Sequence, residues 1–514
     1  MPQFASISPA TYLRSRVGRV CVALRGTTVH ELLDRAEAAR ADSQFFEFRL
    51  DSLEKPAAAV AHVGQFLSAH KELVAIATCR RKAFGGGFTG TLAEELNILA
   101  RASDAGFAIV DLEIESAEEC NAFELETLRQ SEAVLLISFH DFEKPVDPQA
   151  VFARIQRFEP DFVKIVSTAH SLADSLKLLK WIAESSGDAQ VVGIAMGEAG
   201  IVSRVLSLRA GSAFTFASAH DGAETPPGQI TARTLRDLYR IEQLDQATRI
   251  YGVAGNPIAH SLSPLMQNSA FHRERLNSVY LPLKTETVAD LLTLARQLPL
   301  SGISITMPLK QQVMAHLANV DPLSAKLGAC NTIRTGADGK LYGFNTDVAG
   351  IVRPLEKRMS LKGARVLVLG AGGAARAAVY GLAEKGAQVF IWSRKEATAR
   401  ELAASAGVHA ITRQQIARAD FEVLINATPC GMHGNAHPLP LESEEWKARL
   451  VFDLVYNPLE TPLLQVARKR GLHTIQGVEM FVQQGARQFE LWTGKPAPEA
   501  EMLRVVLFAL NKAH

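Results

Sequence analysis

Short apolar runs and longer amphipathic stretches alternate through the first 220 residues of the chain. The apolar runs are RVCVAL (19–24), FFEFRL (45–50), LVAIATC (73–79), FAIVDLE (107–113), AVLLISFH (133–140), FVKIVSTA (162–169), VVGIAMG (191–197) and GSAFTFAS (211–218). Between them lie stretches with helical spacing, such as VHELLDRAEAARA and HSLADSLKLLKWIAESSG. Strand-length runs rich in apolar and β-branched residues, separated by helices, predict parallel strands joined by crossovers. Eight of them predict a closed (β/α)8 barrel. An open doubly wound sheet would show fewer strands and a glycine-rich first loop, and LRGTTVHE is not one.

The rhythm then changes. ITARTLRDLYRIEQLDQAT (230–248) predicts a joining helix. In RIYGVAGNPIAHSLSPLMQNSAFHRERL a strand and turn precede Ser261 and Ser263, just ahead of a helical pattern. Hydroxyls there cap the helix or hold a carboxylate, and the sequence leaves both readings open. Farther on, ARVLVLGAGGAARAAVYGLAEKGAQVFIWSRK predicts a strand at 365–369, a turn at Gly370, Gly372 and Gly373, a small-residue helix, and a second strand near 388–392. Such glycines let a pyrophosphate approach the helix N-terminus, so the stretch predicts dinucleotide binding. The second strand ends in Ser393, Arg394 and Lys395, where an NAD site would carry an acid. Cations and a hydroxyl favour the 2′-phosphate of NADP. FEVLINAT (421–428) and VFDLVY (451–456) predict further strands of the same sheet.

Composition narrows the class. At 514 residues the chain exceeds a single core, and 47% hydrophobic with 21% charged residues is ordinary for a globular protein. A net charge of +1 gives no general support for nucleic-acid binding. Cys21, Cys79, Cys120, Cys330 and Cys430 are scattered and form no CxxC pair, so neither a zinc knuckle nor a disulfide framework is expected. The opening MPQFASISPATYLRSRVGRV lacks the apolar segment of a signal peptide, and no apolar run approaches the roughly 20 residues that span a bilayer. A cytoplasmic protein without a membrane partner is the expectation.

The charged residues of the first half cluster. Glu47, Arg49, Arg80, Asp111, Glu113, His140 and Lys164 all fall toward the C-terminal ends of predicted strands, where barrels of this kind carry their chemistry. A salt-bridged polar layer is the alternative. Lys164 stands in the apolar run PDFVKIVSTAH, and burial of an ammonium is costly unless it is paired or neutralised. A lysine whose pKa is depressed by apolar surroundings or neighbouring cations can form an imine, with His140 as a proton-transfer group. An aldolase and a ketone-activated dehydratase both fit. In the second half, Thr306 and Lys310 follow a strand in SGISITMPLKQQV, Asn331 lies in GACNTI and Asp347 in LYGFNTDVAG.

FEFRL, TCRRKAFGGG, ISFHDF, VKIVSTAH, MGEAGIVSR, GSAFTFAS and TPPGQI resemble type I 3-dehydroquinate dehydratase over residues 17–232. The resemblance implies that Lys164 forms the imine and His140 moves protons in turning 3-dehydroquinate into 3-dehydroshikimate. It implies substrate contacts from Glu47, Arg49, Arg80, Arg204, Thr225 and Gln229, with Arg204 suited to the carboxylate. One position departs. The family usually has a glutamate that orients the histidine four residues after the arginine matched by Arg80, and this chain has Phe84. Asp111 or Glu113 is the expected replacement, since a phenyl ring accepts no N–H.

GNPIAHSLSP, TMPLK, GACNT, GFNTD, GAGGAARA, NATPCGM and GVEMFVQQGARQFELWTG resemble shikimate dehydrogenase over residues 250–512. This implies a shikimate site of Ser261, Ser263, Thr306, Asn331, Asp347, Tyr456 and Gln484, with Lys310 and Asp347 the catalytic pair. NADP(H) would meet Gly370, Ala371, Gly372, Gly373, Ala374, Ser393, Arg394 and Lys395, with Ala427, Thr428, Gly477 and Met480 bordering the nicotinamide. The implied organisation is a dehydratase barrel (1–235), a linker helix (236–249), a shikimate-binding α/β domain (250–350), a Rossmann-like NADP domain (351–475) and C-terminal helices returning to the substrate domain (476–514). The two reactions then follow one another, with no metal and with 3-dehydroquinate, 3-dehydroshikimate and shikimate as the small-molecule partners. A quinate dehydrogenase second half, or a barrel without catalysis, is the alternative.

Overall fold

The structure, a computed structural model, describes residues 8–219, 228–258, 261–435, 437 and 439–512. The chain forms two compact units, Met1–Thr248 with Leu292–Leu298, and Arg249–Leu291 with Pro299–His514.

In the first unit, strands β1 (Val20–Leu24), β2 (Phe45–Arg49), β3 (Val74–Thr78), β4 (Ile109–Glu113), β5 (Val134–Asp141), β6 (Phe162–Thr168), β7 (Val191–Met196) and β8 (Thr215–Ser218) lie side by side in parallel, with β8 returning to β1. The Ala213 N–H donates to the Val191 carbonyl at 2.8 Å across the remaining gap between β7 and β8. This is the barrel that the eight apolar runs predict, and each strand lies within its predicted run to within one residue.

Alternation along the strands builds the interior in layers. Phe45, Glu47 and Arg49 share one face of β2, as do Ile109, Asp111 and Glu113 on β4, and Leu136, Ser138 and His140 on β5. The lower members of these sets join Phe162, Phe214 and Phe216 in an apolar cluster. Phe214 meets Phe45 and Phe162 edge-on at ring distances of 5.0 and 5.4 Å. Burying each ring contributes about 1.5–3 kcal/mol, which helps offset the cost of the charged layer above. Register fixes which side chains reach that layer, with Ser138 opposite Lys164 and Glu113 opposite Ser138. A slip of one residue would turn every one of these charges outward.

The segment after the barrel departs from its predicted helix. Thr234–Leu238 forms a π-helical turn and Ile241–Gln243 a 3-10 turn, separated by Arg240 at φ +48°. Leu235, Tyr239, Ile241 and Leu244 are all buried. A break between two turns is needed to bury all four, and the left-handed residue supplies it.

The second unit contains two sheets. In the first, β9 (Arg249–Gly255), β10 (Ser278–Lys284), β11 (Leu300–Ile305), β12 (Asn319–Val320), β13 (Thr332–Thr335) and β14 (Leu341–Phe344) run in the order β10-β9-β11-β13-β14-β12. In the other, β15 (Arg365–Leu369), β16 (Gln388–Trp392), β17 (His409–Ala410), β18 (Val423–Asn426), β19 (Leu450–Asp453) and β20 (His473–Ile475) are all parallel in the order β17-β16-β15-β18-β19-β20. The strand order reverses between β15 and β18, where a doubly wound sheet opens its ligand crevice. Helix Gly477–Thr493 packs Val478, Val482, Phe489 and Trp492 into the core of the first sheet, and the Trp492 indole N–H donates to the Ile333 carbonyl at 2.9 Å. Among the described residues, no helix is long and apolar enough to cross a membrane.

Candidate active sites

Lys164 is almost completely buried, near the middle of β6. Its Nζ donates to Glu47 Oε1 at 3.1 Å and to Asp111 Oδ2 at 3.0 Å, and sits 4.2 Å from the centre of the Phe216 ring. Burial alone would lower its pKa, but Asp111 and Glu47 outweigh burial and raise it. Of the two ways to bury a lysine, pairing and neutralisation, the structure shows pairing, and the lysine rests as an ammonium ion. Burial pushes the Glu47 carboxyl up, yet Lys164, Arg49 and Arg80 hold it down at about 2.

His140 lies one strand away on β5. Its Nδ1 is 2.9 Å from Glu113 Oε1 and its Nε2 is 2.8 Å from an Arg80 amino group. Burial, reinforced by Arg80 and Lys164, takes the imidazole well below its ordinary pKa, so it rests neutral and able to accept a proton. Arg80 Nε also donates to Glu113 Oε2 at 2.8 Å. Of the two expected replacements for the missing glutamate, Glu113 meets the histidine and Asp111 meets the lysine. Phe84 lies instead beneath the Arg81 guanidinium, 4.8 Å from its ring centre.

Other expected contacts differ in how they are held. Arg49 makes two hydrogen bonds to Asp51, at 2.9 and 2.7 Å. Arg204 is buried, its Nη1 is 3.4 Å from the Phe216 carbonyl, and among the described residues it has no carboxylate beside it and its Nε has no partner. Burial pulls its pKa down to about 10. A buried guanidinium in this condition would gain from an anion. Gln229 is half-buried beside Ile230, whose carbonyl accepts the Ser218 N–H at the end of β8. Thr225 lies outside the described residues.

In the second unit a cavity of about 440 Å³ is lined by Ser261, Ser263, Thr306, Lys310, Asn331, Asp347, Tyr456, Met480 and Gln484, among others. Lys310 Nζ donates to Asp347 Oδ2 at 2.8 Å, and the Asn331 amide donates to Asp347 Oδ1 at 2.8 Å. The carboxylate is thus held from both sides. Ser261 Oγ accepts the Ser263 N–H at 3.3 Å, so it assists the helix start while also lining the cavity. Tyr456 stacks on Phe481 at 5.0 Å.

Family models match both halves. Type I 3-dehydroquinase matches residues 20–246, the shikimate dehydrogenase substrate-binding domain 253–333, shikimate/quinate 5-dehydrogenase 354–433 and the shikimate 5′-dehydrogenase C-terminal domain 477–507. The bifunctional 3-dehydroquinate dehydratase/shikimate dehydrogenase of Arabidopsis thaliana, a chloroplastic protein, is 34% identical over 444 residues, covering 82% of this chain and 73% of that one. The chain belongs to the bifunctional dehydratase–dehydrogenase family. Within its dehydrogenase half, an NADP(+) shikimate dehydrogenase of Methanosarcina acetivorans is 38% identical over 278 residues, covering 51% of this chain and 99% of its own length. A solved shikimate 5-dehydrogenase of Thermus thermophilus, in complex with NADP(H) and shikimate, is 36% identical, covers 51% of this chain and all of its own, and superposes with a TM-score of 0.47.

The dehydrogenase half also has the form of a dinucleotide cradle. Gly370 adopts φ +113°, and a Cβ there would stand 2.9 Å from the Ala427 carbonyl, so the turn between β15 and its helix requires glycine. Cβ atoms built on Gly372 and Gly373 meet nothing within 4 Å, which leaves open space at the start of helix Gly373–Glu384. Ala371 and Ala374 flank this turn, and Thr428 follows β18 across the crevice, its N–H accepted by Asn426 Oδ1 at 3.1 Å. Gly477 cannot carry a side chain either, because its Cβ would lie 2.3 Å from the Val455 carbonyl. After β16, Ser393 gives its hydroxyl to the Lys395 carbonyl at 2.8 Å, while Arg394 and Lys395 are exposed. Ser393 therefore shapes the loop, and the two cations beside it face solvent.

The sequence reading of this family member missed Ser304 and Gln488, which also line the cavity. Ser304 accepts from Tyr280 Oη at 2.6 Å and donates to Gln488 Oε1 at 2.9 Å, and Gln488 donates to Thr332 at 3.0 Å. For Ser304 the signal was a hydroxyl between Ile303 and Ile305, a weak one in any sequence, and Gln488, between Arg487 and Phe489, offered none.

Proposed function

We propose that Lys164 attacks the ketone of 3-dehydroquinate, that His140 moves the protons of the dehydration that follows, and that Lys310 with Asp347 serves the reduction. The chain is a lyase and an NADP-dependent oxidoreductase, producing 3-dehydroshikimate in its first unit and shikimate in its second. The observation that carries the dehydratase assignment is the buried Lys164, held about 3 Å from both Glu47 and Asp111 beside a neutral His140.

Chemistry begins when Lys164 gives up a proton and its amine adds to the ketone, whose oxygen leaves as water to form an imine. The carboxylates that hold the resting ammonium also favour the protonated imine, the better electron sink. His140 then takes the proton from the carbon next to the imine. The electron pair enters the conjugated system and expels the β-hydroxyl, which leaves as water with a proton returned by the imidazolium. Hydrolysis of the product imine frees Lys164. Arg80 caps the His140 lone pair in the structure, so it must turn away before the histidine can act. Its bond from Nε to Glu113 can remain while it does so. Arg204 takes the substrate carboxylate, and Glu47, Arg49, Gln229 and Thr225 bind the remaining polar groups.

In the second unit NADPH supplies the hydride. The open turn at Gly370–Gly373 and the cations Arg394 and Lys395 support its binding, as does the NADP(+) specificity in the name of the Methanosarcina relative. Lys310 donates a proton to the ketone oxygen, while Asp347 keeps the ammonium oriented. Ser261, Ser263, Thr306, Asn331, Tyr456 and Gln484 orient the ring and carboxylate of the substrate. All five cysteines are free thiols, which supports a reducing compartment such as the cytoplasm.

Borohydride reduction of the chain mixed with 3-dehydroquinate tests the dehydratase assignment. A covalent adduct mapped to Lys164, absent from Lys164→Ala, is expected. A Lys164→Ala variant that still dehydrates 3-dehydroquinate would overturn it.

A further inference from the structure

We infer that Glu113 is the positioning residue of the dehydratase: it fixes the tautomer and orientation of His140, a task for which the resemblance leads one to expect a glutamate at the position of Phe84. The inference rests on the proposed roles of Lys164 and His140. Its first test needs no substrate, so the two can fail separately.

The donor–acceptor inventory decides the tautomer. A guanidinium only donates, so His140 Nε2, 2.8 Å from an Arg80 amino group, must be an acceptor. In a neutral imidazole the proton then sits on Nδ1, which is 2.9 Å from Glu113 Oε1. The carboxylate accepts that N–H, and Nε2 keeps the lone pair that general-base chemistry needs.

Glu113 is itself immobilised. Its second oxygen accepts from Arg80 Nε at 2.8 Å and lies 3.0 Å from Ser138 Oγ, and the residue is 3% exposed. Asp111 is occupied elsewhere, accepting from Lys164 at 3.0 Å and from Ser138 at 2.5 Å. Phe84 has no acceptor and lies under Arg81. Phe142 covers the imidazole face, nearly parallel at 19° and 5.7 Å between ring centres. Burial raises the Glu113 pKa, with Arg80 opposing it, and the other charges acting on the ring come from Arg80 after β3, Lys164 on β6, Asp111 on β4 and Arg49 on β2.

Nitrogen NMR of the full chain labelled with ¹⁵N-histidine gives the first test. The His140 signals are identified by their loss in His140→Asn. At neutral pH a protonated Nδ1 and an unprotonated Nε2 are expected, and a protonated Nε2 would overturn the inference. Glu113→Gln gives the second. Its kcat for dehydration should fall on the order of 10² or more, with KM little changed and reduction of supplied 3-dehydroshikimate at the parent rate. The acid limb of its dehydration profile should move to lower pH, because a neighbouring anion stabilises the imidazolium and the amide does not. Glu113→Asp should keep the acid limb near that of the parent. A Glu113→Gln protein with parental kcat and an unmoved acid limb would show that the carboxylate only balances Arg80. If that variant does not fold, the tautomer in the parent still decides.

Discussion

At the scale of single residues, both sites set an ammonium against carboxylates, but to different ends. Lys164 lies between two acids in a dry interior, and their combined pull exceeds the desolvation that would neutralise it. That arrangement suits a group whose covalent product carries positive charge. Lys310 is about one-third exposed and faces one acid, Asp347, which Asn331 holds in turn. In the proposed mechanism it delivers a proton, and its contribution should then appear in the transition state rather than in substrate binding. Replacing Lys310 with alanine is expected to lower kcat of reduction on the order of 10² or more, with a smaller change in KM. Asp347→Asn should also lower kcat, and the double variant should lose less than the sum of the single losses, because the pair works as a unit. Steady-state kinetics with 3-dehydroshikimate and saturating NADPH check this. A raised KM at unchanged kcat would instead make Lys310 an anchor for the carboxylate.

At the scale of elements, the chemistry is carried by strand ends and by the turns that follow them. Alternation on β2, β4 and β5 lifts Glu47, Asp111, Glu113 and His140 into one layer above the aromatic floor. In the second unit the turn after β15 and the loop after β16 are the segments proposed to meet the nucleotide, and each uses backbone that its sequence dictates. Gly370 supplies the positive φ, and Ser393 closes the loop onto the Lys395 carbonyl. Arg394 is left exposed on that loop. Arg394→Ala should therefore weaken NADPH much more than NADH, since only the former carries a 2′-phosphate. The comparison is kcat/KM for the two cofactors, and an equal loss with both would assign Arg394 to the fold or to the shared adenosine.

At the scale of the whole molecule, each unit has its own core, and the groups proposed for each reaction fall within one unit. The barrel closes on an aromatic cluster, and the dehydrogenase unit has separate cores beneath its two sheets. The reactions are consecutive, and the proposed mechanism gives each its own groups. A mixture of Lys164→Ala and Lys310→Ala chains should thus convert 3-dehydroquinate to shikimate in the presence of NADPH, after a lag in which 3-dehydroshikimate accumulates. Neither variant alone should do so. Failure of the mixture, with each variant retaining its one remaining activity, would mean that the intermediate must stay with one chain.

The barrel and the dinucleotide turn were legible in the sequence because each rests on a local rule, whereas much of the polar lining of the second site was legible only through the resemblance to shikimate dehydrogenase, which left out Ser304 and Gln488. Alternation gives a strand its two faces, and a tight turn against a neighbouring carbonyl admits only glycine. Local rules also reach their limit in particular places. The 230–248 segment reads as a helix, yet burial of Leu235, Tyr239, Ile241 and Leu244 breaks it at Arg240. Lys164 reads as a lysine that must be paired or neutralised, and acids 117 and 53 residues away along the chain decide for pairing. Asp111 and Glu113 are equivalent by pattern, on the same face of the same strand. Only the register of β4 against β5, and the hydrogen bonds that hold each side chain, give one to the lysine and the other to the histidine. The sequence by itself determined which residues face the interior at the strand ends. The tertiary structure decided which of them touch, because charge state and tautomer depend on neighbours brought together only by closing the barrel.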